Sequence, residues 1–126
     1  MINELPVDQA ILIYESEVRA GHLRDHGLLA GAVGAPYQHV FGTELFPTVV
    51  LKASKLIEGI SRVQAYTNGN KRLAWHCGMA LLEMNGLLML EVDQDDAAQF
   101  VLNLRGDDSG LREGAIWLNS RVVSLE

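Results

Sequence analysis

The chain has 126 residues, 48% apolar and 21% charged, with a net charge of −6. That length and balance predict one domain over residues 1 to 126 with a sizeable core, and they exclude a disordered chain. No apolar run reaches the roughly 18 to 20 residues of a membrane helix, so no membrane partner is expected. The acid excess argues against nucleic acid as a partner, because such binding rests on neutralising many phosphates. The lone Cys77 cannot close an internal disulfide, and "MINELPVDQ" lacks a basic region ahead of an apolar one. Both features predict a cytoplasmic protein.

In chain order, Val7, Ile11, Tyr14 and Val18 recur at helical spacing, and Pro6 and Asp8 suit a first turn, so a helix is expected over about residues 6 to 19. A short apolar helix follows from near Asp25 and ends before Pro36, with a loop running on to Pro47. From Thr48, one face carries Val49, Ala53, Leu56, Ile57, Ile60 and Val63 and the other Lys52, Lys55, Glu58 and Arg62. That pattern predicts an amphipathic helix ending near Gln64. The run from Lys71 to Asn85 holds no charge after its first turn except Glu83, and a helix apolar on nearly every side is a central one. After the cap signal Asn85-Gly86, "LLMLEV" reads as a short strand or an extended connection. Asp93 is placed to cap a helix that stops at Gly106, and Ser109 to cap a last helix over "GLREGAIWLNSRVVS". The expected fold is all-α, with about six helices around the one that begins at Lys71.

Residues 64 to 72, "QAYTNGNKR", form the connection into that central helix. As plain structure this is a turn, with Asn68 or Asn70 capping the helix. Lys71 and Arg72 do not fit that reading. Cations in a first turn face the positive end of the helix dipole, at a cost of about 0.3 to 1 kcal/mol each. A phosphate held by the amides of Gly69, Asn70 and Lys71, with Lys71 and Arg72 as counter-charges, would resolve the misfit. Gly69 would let the backbone approach it closely, although the spacing is not that of a Walker A loop.

The stretch resembles the Fic/Doc (death-on-curing) motif, H-x-F-x-D-x-N-K-R in the Doc branch. Tyr66 falls on the aromatic position, and Gly69, Asn70, Lys71 and Arg72 on the G-N-K-R end. The flank "RDHGLLAGAVGAPYQHVFGTELFPTVVLKASKLIEGISR" is similar to the corresponding segment of Doc-like proteins, so the resemblance covers roughly residues 5 to 120. It implies a Fic/Doc-type helical bundle and a toxin of a toxin–antitoxin module. Its activity would be phosphoryl transfer from ATP, with Mg²⁺, to a threonine of the elongation factor EF-Tu. It also implies a Phd-type antitoxin whose helix covers the site. AMP transferases of the family usually carry a second glycine and another arginine where this chain has Lys71 and Trp75, which favours the Doc pattern and leaves AMP transfer as an alternative.

Gln64 stands where the family has its catalytic histidine, and Asn68 where it has its acidic metal ligand. An amide cannot take a proton near neutral pH, and the missing general base is typically worth about 10²- to 10⁴-fold. Asn68 offers Mg²⁺ a neutral carbonyl oxygen in place of a carboxylate. The resemblance thus leaves two readings open, an impaired Doc-like toxin or a nucleotide- or antitoxin-binding module without turnover. Cys77 beside His76 is no catalytic pair, since helix neighbours point about 100° apart. His22, His26 and His39 lack metal-ligand spacing, and Trp75 and Trp117 suit core or partner contacts. Ser109 to Gly114 fits the [ST]-x-x-x-E-[GN] pattern of an inhibitory Fic helix but sits in what reads as an ordinary last helix.

Overall fold

The computed structural model describes residues 2–125. Among them are six α-helices, and strands occur only in two small antiparallel two-stranded sheets, so the all-α expectation holds. Helix α1 (Val7–Ile13) runs into one π-helical turn, Tyr14–Val18, which Arg19 ends at φ 48 by donating its amide to the Tyr14 carbonyl at 3.0 Å. Helix α2 (His26–Gly34) starts where predicted, because the Asp25 carboxylate accepts the Leu28 amide. The stretch expected to be loop contains a hairpin of β1 (His39–Val40) and β2 (Thr43–Glu44), whose tip, Phe41 and Gly42, turns at φ 50 and 80.

Helix α3 (Val49–Val63) has the predicted bounds and a Thr48 cap, but its charged face is not a solvent face. Lys52 is 1% exposed and Glu58 5%. The Lys52 ammonium donates to the Phe46 carbonyl and lies 3.3 Å from the Glu44 carboxylate of β2, so the buried charge ties the hairpin to α3. Glu58 meets Arg62 at 2.8 Å and Lys55 at 3.4 Å, and Gly106 passes so close that a Cβ there would sit 2.7 Å from a carboxylate oxygen. Both groups meet the condition for burying charge, which is a partner.

Helix α4 (Asn70–Met84) packs on α1, α3 and α5 and shares the centre with α3. It buries Leu73, Ala74, Cys77, Gly78, Leu81 and Leu82, while Trp75, His76, Met79 and Ala80 form a half-covered side. At Gly78 α3 comes close enough that a Cβ there would meet Ile57 at 2.4 Å. The strand alternative for "LLMLEV" is the right one: β3 (Leu87–Met89) pairs with β4 (Val122–Ser124). The last helix is therefore shorter than expected. After α5 (Gln94–Asn103), α6 (Asp108–Asn119) is capped by Asp107 rather than Ser109, and the β-branched Val122 and Val123 leave the helix to pair with β3.

Candidate functional site

The connection from α3 to α4 is shaped at Gln64, which ends α3 in the left-handed region at φ 51, ψ 53. The Arg24 guanidinium donates to the Gln64 carbonyl through Nε at 3.1 Å and Nη2 at 2.8 Å. The amides of Arg24 and Asp25 donate to the next carbonyl, Ala65, at 2.9 and 3.2 Å. Leu23 bridges to Tyr66, the Thr67 amide donates to the His22 carbonyl at 3.0 Å, and the His22 amide donates to Thr67 Oγ1. Residues 22 to 25 thus form a strap along the motif loop. Gly21 has no room for a side chain beside it, because a Cβ would fall 2.2 Å from Thr67 Oγ1.

The Tyr66 ring stacks on Tyr14 with centroids 3.6 Å apart, and the Tyr14 hydroxyl donates to the Asn68 carbonyl at 2.9 Å. The Tyr66 hydroxyl is buried without a hydrogen-bond partner among the described residues. Burial first, then the nearby Glu15, Tyr14 and Cys77, raise its pKa above the usual phenol value. Asn70 closes the loop from the other end: its side chain accepts the Tyr66 amide at 3.0 Å and donates to the Tyr66 carbonyl at 2.9 Å.

Neither asparagine caps α4, and this corrects the sequence reading. Gly69 holds the N-cap position at φ 81 with no side-chain bond to the helix start, because Asn70 is turned back onto Tyr66 and Asn68 Oδ1 accepts the Gly69 amide at 2.8 Å. The Gly69 amide is thereby occupied, and the amides left without an intrahelical acceptor are those of Asn70, Lys71 and Arg72. A Cβ at Gly69 would lie 2.5 Å from Val18 Cγ1, so this glycine is required by space as well as by φ. Lys71 and Arg72 are exposed, and among the described residues neither has a carboxylate at ion-pair distance. Open amides and unpaired cations at one helix start suit a phosphate, as ATP would present. Mg²⁺ fits less well. Asn68 Oδ1 is neutral and already accepts a hydrogen bond, and the described residues contain no group of three or more His, Cys, Asp or Glu arranged around a metal.

The other candidates fall outside this site. Cys77 is wholly buried, and burial pushes its thiol up to about 12. His26 is the first residue of α2, and His39 lies in the hairpin 4.0 Å from Glu44. Trp75 and Trp117 meet edge to face at 6.1 Å, and Trp117 stacks on Phe100 at 4.2 Å, an aromatic cluster joining α4, α5 and α6. In α6, Glu113 pairs with Arg105 at 3.2 Å. The sequence reading missed Arg24 as a contact of position 64. Its only signal was that "RD" opens the flank similar to Doc-like proteins.

The model of the Fic/DOC family matches residues 5–82, which take in the strap, α3, the motif loop and most of α4. The chain belongs to the Fic/DOC family. It is 35% identical over 81 residues to a protein named Toxin Doc from Mycolicibacterium smegmatis, a match that covers 64% of this chain and 62% of that relative. Among the described residues no helix is long and apolar enough to cross a membrane.

Proposed function

We propose that this protein is a Doc-type toxin that keeps the nucleotide-phosphate pocket and is impaired in transfer. It would be partnered by a Phd-type antitoxin in the cytoplasm. The observation that carries this reading is the start of α4, where Lys71 and Arg72 stand beside open amides and, among the described residues, have no carboxylate partner. ATP, when bound, would supply the phosphoryl group, and the two cations with the amides of Asn70, Lys71 and Arg72 would hold its phosphate oxygens. The acceptor is a hydroxyl of a translation factor, EF-Tu by resemblance. Transfer would join that hydroxyl oxygen to the γ-phosphorus and break the bond to ADP, which leaves, while the hydroxyl must lose its proton, and Gln64 can orient it without accepting the proton. Asn68 brings no negative charge to a metal, so no step is assigned to Mg²⁺ here.

Gln64 and Asn68 together favour one second reading, a module that binds nucleotide or antitoxin without turnover. Label transfer to EF-Tu from γ-labelled and α-labelled ATP, in all four combinations of Gln64→His and Asn68→Asp, separates the two. The toxin reading expects little transfer by the unmodified chain, partial recovery with Gln64→His and more with both changes, from the γ label. Transfer of the α label would instead identify an AMP transferase. A doubly changed protein that binds ATP and stays inert would establish the binding module.

A further inference from the structure

Gln64 carries a side chain in a backbone region that such residues seldom occupy, at the end of a helix whose last carbonyls lack intrahelical donors. Something must hold it there, and the structure shows what does. Arg24 anchors two consecutive carbonyls, Gln64 through two guanidinium nitrogens and Ala65 through its own amide. Its charge is not spent elsewhere: the neighbouring Asp25 carboxylate caps α2, and among the described residues no carboxylate pairs with Arg24. We propose that Arg24 is a positioning residue for position 64. By fixing the Gln64 carbonyl it holds the left-handed turn, and that turn sets the direction in which the side chain at 64 leaves the loop. A guanidinium suits the task because its rigid fork delivers two N–H groups to one oxygen, whereas an ammonium is a point charge on a flexible stem.

The inference rests on reading position 64 as the seat of the reacting group, so the experiment keeps the two apart. The full chain is prepared with Arg24→Met and with Arg24→Lys, each alone and together with Gln64→His. In the first arm, backbone resonances report the conformation of residue 64 and hydrogen exchange reports the strap amides. Arg24→Met should move residue 64 off its left-handed shifts and speed exchange at Asp25 and Thr67 about tenfold, while Leu73 to Leu82 stay unchanged. In the second arm, kcat for label transfer in the Gln64→His background should fall about 10- to 100-fold, the scale of a small misplacement of a reacting group. KM for ATP should hold within about twofold, since the phosphate contacts of α4 are untouched. Arg24→Lys should lie between. Unchanged shifts at residue 64, or an unchanged kcat, would overturn the proposal. If Gln64→His transfers nothing, the reading of the site fails, and the first arm alone decides whether Arg24 holds the turn. Should Arg24→Met not fold, Arg24→Lys carries both arms with smaller changes in the same directions, and no change in it is the contrary result.

Discussion

The starts of α6 and α4 are finished in opposite ways. At α6 the Asp107 carboxylate accepts the Gly110 amide at 2.9 Å, and Asp108 adds an acid to the first turn. At α4 the cap is Gly69, which offers no side chain, and the first turn holds two cations. Asn68 and Asn70 stand beside that cap, yet both are bonded to the loop instead. Helices α2, α3 and α5 follow the pattern of α6, with Asp25, Thr48 and Asp93 accepting first-turn amides. The chain completes four helix starts with side-chain oxygens and leaves those of α1 and α4 without one, but α1 has Asp8 in its first turn and α4 has two cations, which costs stability and is what an anion site requires.

The largest expected effect comes from breaking the open start itself. Gly69→Ala forces a methyl into φ 81 and against Val18, and should destabilise the fold by about 2 to 5 kcal/mol, read from urea unfolding. The same change at Gly86, at φ 82 with nothing within 4 Å of the added Cβ, meets only the backbone term of about 1 to 2 kcal/mol. The interior of α4 contrasts with its open end in a pH dependence. Burial raises the Cys77 pKa to about 12 from a usual value of 9.0, so the folded state keeps its proton where the unfolded chain loses it. That contribution is complete below pH 9.0 and is lost as the pH climbs toward about 12, at about 1.4 kcal/mol per pH unit. A Cys77→Ala variant unfolded in parallel should show a shallower alkaline decline.

Smaller effects sharpen the contrast between the two helix starts. Asp107→Ala removes a finished cap and should cost about 0.5 to 2 kcal/mol in thermal unfolding, with ATP binding unchanged. Lys71→Asp should act in the opposite sense. Without nucleotide it places an acid at the positive end of the helix dipole and should raise stability by about 0.3 to 1 kcal/mol, while removing ATP binding. A loss of stability in nucleotide-free Lys71→Asp would show that Lys71 has a structural partner.

Much of this was legible in the sequence because it rests on local periodicity and caps. The apolar face of α3, the start of α2 near Asp25, the Asp93 cap and the charge misfit at Lys71 and Arg72 are short-range signals. What could not be read depends on contacts far along the chain. Lys52 and Glu58 look like surface charges until the hairpin and the Gly106 turn cover them. Val122 and Val123 extend a helical pattern until β3 offers a partner strand. Asn70 has a good capping sequence, but the Tyr66 backbone competes for its side chain and wins two hydrogen bonds. Arg24 is distant from Gln64 in the chain, and only folding brings its guanidinium to the Gln64 carbonyl.

Titrating ATP while following the backbone amide resonances of residues 66 to 73 is the most direct test that the start of α4 is an anion site. Saturable shifts are expected, concentrated at Asn70, Lys71 and Arg72 and abolished by Lys71→Asp, with the amides at the start of α6 unmoved. Shifts centred elsewhere, or none at millimolar ATP, would contradict it.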